Sequence, residues 1–184
     1  RQMCIRDSLY YGFGKADPSV ELVMGPNITD WPKMQPLAEN LLVELAAVLR
    51  DEVTTTDELI PSGETSSYRS NPLKLASFAL SRRDPDYVPR ARATQALEEA
   101  RRSGAMPPEL QSVQKALSIP DMSRVQIGSV LFANKPGDGS AREQAASCQR
   151  VLGGCANLCY EFATKRYRSN CVNWGICLLY TSPS

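Results

Sequence analysis

Histidine is absent from all 184 residues of this chain. That excludes a Ser-His-Asp or Cys-His relay made from its own side chains, and it removes imidazole as a metal ligand. A charge of one sign is also lacking. With 21 Lys and Arg against 20 Asp and Glu, there is no broad basic surface for nucleic acid. No apolar run is long enough to cross a bilayer, and no charged start leads into a hydrophobic signal segment. No membrane partner is therefore expected, and a cytoplasmic location is the default. The length suits one domain with a sizeable core and leaves no room for a second large one.

The six cysteines include no Cys-x-x-Cys pair. Cys148, Cys155, Cys159 and Cys171 are enough thiols for a zinc or iron–sulfur site, but Cys155 and Cys159 fall in an apolar stretch that reads as a strand. Buried structural cysteines are the favoured reading, and no metal ligands are expected within the chain. The other two, Cys4 and Cys177, lie in terminal segments that call for separate treatment. Residues 1–8 and 177–184 can be back-translated into coding strings that are reverse complements of one another and look like a transposase sequencing adapter. Both are expected to be artefacts outside the fold, which leaves a domain at 9–176, cut from a larger protein.

The richest stretch runs from Val125 to Leu152. An apolar strand at 125–133 delivers the chain to Gly137-Asp138-Gly139, where glycine permits a tight turn and close approach of a ligand to the backbone. Ser140 is expected to open a helix whose free N–H groups and dipole favour a carboxylate or phosphate, and Arg142 can add a bidentate contact. Taken alone, Ser140 reads first as a helix N-cap, the commonest reason for Gly-x-Gly-Ser before a helix. A dinucleotide-binding reading is weak because the third glycine is missing.

This pattern resembles the Gly-x-Gly-Ser-Ser-Arg-Glu-His signature of the swivelling domain in the aconitase and isopropylmalate isomerase superfamily. Val53-Thr-Thr-Thr-Asp-Glu-Leu-Ile-Pro-Ser-Gly63, followed by Tyr68-Arg-Ser-Asn-Pro72, is similar to the family's Thr-Thr-Asp-His-Ile-x-Pro-Ala-Gly segment and the Arg-Ser-Asn after it. Gly154-Cys-Ala-Asn-Leu-Cys-Tyr-Glu-Phe-Ala163 and Tyr167-Arg-Ser-Asn-Cys-Val-Asn-Trp-Gly175 are similar to the strand and helix that follow. The resemblance implies an α/β fold of swivelling type, with β/β/α layers, belonging to a hydro-lyase that acts on a hydroxy di- or tricarboxylic acid. It also implies Ser140 as the catalytic base and Arg69, Arg142 and Gly139 as substrate-binding residues. Asp57 and Glu58 offer a carboxylate pair for acid–base work but read first as structural, with Asp57 a supporting residue. The family's 4Fe-4S cluster would be held by other, N-terminal domains, which are the expected protein partner. Three positions depart from the family pattern: Ala141 for the second serine, Gln144 for one histidine and Glu58 for another. They suggest a divergent hydratase branch, or a carboxylate-binding or regulatory paralogue without turnover. A phosphate-binding domain is a further alternative.

Strand and helix signals alternate through the rest. A short strand is expected at 20–24 and another, by the resemblance, at 41–49. A helix capped by Asn71 with Pro72 at its first position is expected to reach Leu80. A more polar helix at 88–103 shows a stripe of Ala93, Ala96, Leu97 and Ala100 and a Glu98–Arg102 spacing, and a short helix follows at 109–117. The insert at about 84–123 reads as a surface connection with solvated charges. Helices at 141–152 and 165–174 flank a strand at 156–162, and Lys165-Arg166-Tyr167-Arg168 reads first as a solvated helix face and second as a contact for an anion or another domain.

Overall fold

In the computed structural model, which describes residues 13–15, 17–21 and 23–182, six strands form: β1 (Asn40–Leu49), β2 (Thr54–Thr55), β3 (Val125–Ala133), β4 (Pro136–Asp138), β5 (Gly154–Cys159) and β6 (Cys177–Tyr180). Four of them make a parallel sheet in the order β1-β3-β5-β6, and β2 pairs with β4 in a separate parallel ribbon. Parallel neighbours need crossovers, and the helices supply them. They are α1 (Thr56–Leu59), α2 (Pro72–Ala76), α3 (Tyr87–Arg102), α4 (Pro108–Ala116), α5 (Arg142–Val151) and α6 (Lys165–Asn173). The protein is thus of the α/β class, with a parallel sheet and helices.

Strand alternation assigns the two faces of the sheet. Ala47, Leu49, Leu131 and Ala133 point into one core shared with Leu75 and Ala76 of α2, Ala91 of α3, Ala145 and Cys148 of α5, and Tyr167 and Cys171 of α6. Val48, Phe132, Leu158 and Leu179 stand in register across all four strands on the opposite face. Val48 is 41% and Leu179 39% exposed, so this apolar row is not covered among the described residues.

Several local expectations change. Residues 20, 21, 23 and 24 form no strand, and Val20 and Val23 are exposed. α2 is shorter than expected, because after Ala76 the chain turns over through Leu80, whose φ of 54° is incompatible with a continuing helix. The buried face of α3 is Tyr87, Val88, Ala91 and Thr94, whereas Ala93 and Ala96 are exposed. Thr94 can turn inward because its hydroxyl donates to Glu44 Oε2 at 2.6 Å. Glu98 pairs with Arg101, not Arg102, at 2.8 Å, and its Oε2 accepts the Ile127 N–H at 2.8 Å. The stretch read as a surface connection therefore contributes a sheet-packing helix and a largely buried ion pair. Residues 1–8 lie outside the described residues, while Cys177–Tyr180, in the other terminal segment set aside above, is the edge strand β6, with Leu178 packed on the core.

Candidate functional site

The β2–β4 ribbon brings the two strongest motifs together. Thr54 is opposite Pro136 and Thr55 opposite Asp138, so the threonine segment lies against the glycine turn. Thr55 caps α1 reciprocally: its Oγ1 accepts the Glu58 N–H at 3.2 Å, and Glu58 Oε2 accepts the Thr55 N–H at 2.7 Å. Thr56 is buried and faces the turn, where its Oγ1 accepts the Ala141 N–H at 3.3 Å. A side chain from α1 thereby satisfies a donor at the start of α5.

Protein atoms, not a ligand, occupy the space that the two glycines leave open. Gly137 has φ 102°, and a Cβ there would stand 2.2 Å from the Tyr167 ring. Gly139 has φ 124°, and a Cβ would stand 2.4 Å from Thr56 Oγ1. Both positions need glycine for backbone conformation and for close packing. At Gly139 the close approach expected of a ligand is made by Thr56.

Ser140 lies one residue before Ala141, the N-cap of α5, which has no side-chain capping bond. The serine is exposed and does not cap the helix, so the structural role weighed for it above is not the one it plays. Arg142 is the first residue of α5; its Nε is shut off from solvent and has no hydrogen-bond partner among the described residues. Ser140 and Arg142 line an open cleft of about 460 Å³ with Glu143 of α5 and Lys165, Arg166 and Asn170 of α6.

Two helix N-termini meet at this cleft, each carrying partial positive charge. α6 is fixed to the glycine turn by its N-cap: Thr164 Oγ1 accepts the Tyr167 N–H at 3.2 Å and donates to the Gly137 carbonyl at 2.9 Å. Tyr167 is buried beneath Gly137, its hydroxyl accepting from Asn157 Nδ2 at 3.2 Å and donating to Gln149 Oε1 at 3.4 Å. This chain of contacts ties β5, α5 and α6 to the turn. Three cations line the cleft against one carboxylate, and Glu143 Oε1 accepts the Trp174 indole N–H at 3.2 Å.

No family model matches the chain, and no curated protein matches it.

Of the residues expected at the site, Ser140 and Arg142 line the cleft, whereas Gly139 does not and is closed off by Thr56. Arg69 is exposed, follows the 3-10 turn Ser66–Tyr68, and does not line the cleft. Asp57 is exposed on α1 and pairs with Arg82, which also reaches Glu64 at 2.5 Å. Glu58 is engaged by the capping box and by Arg83 at 3.4 Å. Thr56 escapes sequence reasoning as a site residue. Lys165 and Arg166 line the cleft, in line with the second and not the first reading of their basic run.

The buried cysteines are not gathered into a set of metal ligands. Burial pushes the Cys148 thiol up to about 12 and those of Cys155, Cys159 and Cys171 up to about 11. Among the described residues no group of three or more Cys, Asp or Glu could hold a metal ion.

Proposed function

We propose that this chain is the swivelling domain of an aconitase-like hydro-lyase, with Ser140 as proton-abstracting base and Arg142 as carboxylate-binding residue in the cleft between α5 and α6. One observation carries the reading: docking of Thr56 on the glycine turn leaves Ser140 exposed and uncapped beside an arginine whose Nε has no partner. A serine hydroxyl is a weak base, and stabilising its alkoxide requires donors and positive potential in place before reaction. The N–H groups of Arg142, Glu143 and Gln144, in the first turn of α5, lack intrahelical acceptors and can supply them. Arg142 would orient a substrate carboxylate so that the carbon beside it presents its proton to Ser140. Arg69 stands outside the cleft and would serve only in the complete protein, where other domains would also hold the cluster.

The open apolar face of the sheet supports the three-layer β/β/α arrangement, in which a second β layer would cover Val48, Phe132, Leu158 and Leu179. A second reading, a carboxylate-binding or regulatory paralogue, is favoured by one specific observation. Glu58, standing where the family has histidine, is consumed in a capping box and leaves no acid–base group in its place.

Ser140→Ala in the complete protein separates the two readings. For the hydro-lyase, kcat falls by about 10²-fold or more with KM little changed, because the lost group acts on the proton and not in binding. Turnover that survives the substitution, or none in the unaltered protein, overturns the hydro-lyase reading.

A further inference from the structure

We propose that a recess at the end of α5, opposite the end that carries the Ser140 cleft, holds a compact oxyanion, with Arg150 and Gln126 as buried donors and Lys33 and Arg102 as exposed cations beside them. This site is separate from the cleft and does not depend on the hydro-lyase reading. The recess, of about 110 Å³, lies between residues 32–35, α3 and the end of α5.

Arg150 sets the charge of the ligand. It is only 8% exposed, yet it pairs with no carboxylate among the described residues. A buried cation is ordinarily paired, because alone it gives up hydration for nothing in return. Two of its five N–H donors go to backbone carbonyls, those of Gly154 at 3.3 Å and of Gln35. These carbonyls and the negative end of α5 offset part of the charge, and three donors stay without a described acceptor. Burial lowers the Arg150 guanidinium from its ordinary value, whereas Arg82, Arg83 and Arg101, which face carboxylates, are shifted up.

Gln126, on β3, is a second and independent pointer. It is 9% exposed and lines the same recess; its Oε1 accepts the Ala38 N–H at 2.8 Å, and its Nε2 donates to no described residue. A buried amide donor and an unpaired guanidinium in one recess fit a ligand that only accepts hydrogen bonds and carries negative charge. The carboxylates that line the recess do not fill this role. Glu98 is held by Arg101 and the Ile127 N–H, and Glu99 is exposed, outnumbered by Lys33 and Arg102, neither of which has an ion-pair partner among the described residues. The volume suits an anion the size of phosphate or acetate and excludes a nucleotide. Because the Gln35 carbonyl already rests on Arg150, a bound anion would fasten residues 32–35 to α3 and α5.

Calorimetric titration of the chain with inorganic phosphate and with acetate, at an ionic strength fixed by sodium chloride, tests this. At least one of the two should bind saturably with a Kd of about 1 mM or tighter, and the tighter of them tells a tetrahedral from a planar ligand. Arg102→Gln should weaken binding about threefold to tenfold. Arg92→Gln removes the same charge from an exposed α3 position outside the recess and should leave affinity within about twofold. Both positions are exposed, so both variants should keep the parent's melting temperature. Arg150→Met should abolish binding; if that variant fails to fold, amide hydrogen exchange on the unaltered chain supplies the second measurement, with the anion slowing exchange in residues 33–38 and not in 140–145. The proposal is overturned if neither anion binds, if Arg92→Gln weakens binding as much as Arg102→Gln, if a folded Arg150→Met still binds, or if protection appears at 140–145 instead of 33–38. Turnover of Ser140→Ala in the complete protein decides the hydro-lyase reading separately.

Discussion

Gly137 and Gly139 read as glycines in the sequence for one reason and act as glycines in the structure for another. The turn was legible because Gly-x-Gly between a strand and a helix has few other meanings. What fills the space above it was not, since Tyr167 and Thr56 are distant in the chain and long-range packing leaves no local periodicity. An alanine at 137 must hold φ near 102° and also displace a fully buried aromatic ring. Gly137→Ala should therefore destabilise the protein by about 2–4 kcal/mol, read from the urea midpoint. Gly63→Ala is the control. Nothing lies within 4 Å of a Cβ there, and its effect should stay within about 0.5 kcal/mol. Ser140 shows the same division between local and distant information: its exposure and its distance from the cap depend on where α5 starts, and Thr56 supplies the acceptor at that end.

At the scale of elements, β1, α3, α4, β3, α5, β5 and α6 follow sequence signals, whereas β2, β4 and α1 had none, α2 ends early, and the buried face of α3 differs from the expected one. α3 illustrates why. Its apparent alanine stripe competes with a polar face that is satisfied internally, through Thr94 to Glu44 and Glu98 to Arg101 and the Ile127 N–H. Hydrophobicity alone cannot see that a threonine and a glutamate are suited to the sheet side once their partners are present. Glu98 is the joint between helix and central strand, with both its side chain and that of Arg101 largely shielded from water. Glu98→Ala would remove the carboxylate partner of Arg101, leaving it only the Met122 and Ser123 carbonyls, and would leave the Ile127 N–H without its acceptor, a loss of about 2–4 kcal/mol in chemical denaturation. Glu99→Ala, one position away and exposed, should change stability by no more than about 0.5 kcal/mol. An equal effect at both sites would show that the buried pair contributes nothing specific.

At the scale of the whole molecule, a parallel sheet with helices on one face and an open apolar row on the other places Cys148 and Cys171 in the main core on the covered side. That arrangement makes stability depend on pH in a definite direction. An unfolded cysteine ionises near 8.5, whereas burial pushes Cys148 up to about 12 and Cys155 and Cys171 to about 11 in the folded chain. These are acids whose folded value is raised, so their stabilising contribution is fully present below the unfolded value and is lost as pH rises above it. Between about pH 8.5 and 11 the unfolded chain loses protons that the folded chain keeps, and Cys148 alone can remove up to about 1.4 kcal/mol per pH unit. Burial also raises the Tyr87 and Tyr167 hydroxyls, which steepens the fall once unfolded tyrosines begin to ionise near 10. Urea midpoints taken with a reductant present should be flat from pH 6.5 to 8 and fall steadily from 9 to 10.5. Cys148→Ala should lower the midpoint at neutral pH by leaving a small cavity, yet reduce the alkaline slope by one thiol's share. A midpoint that stays level to pH 10.5 would mean that these thiols reach solvent in the native state, and the one-sided core would then have to be redrawn around them.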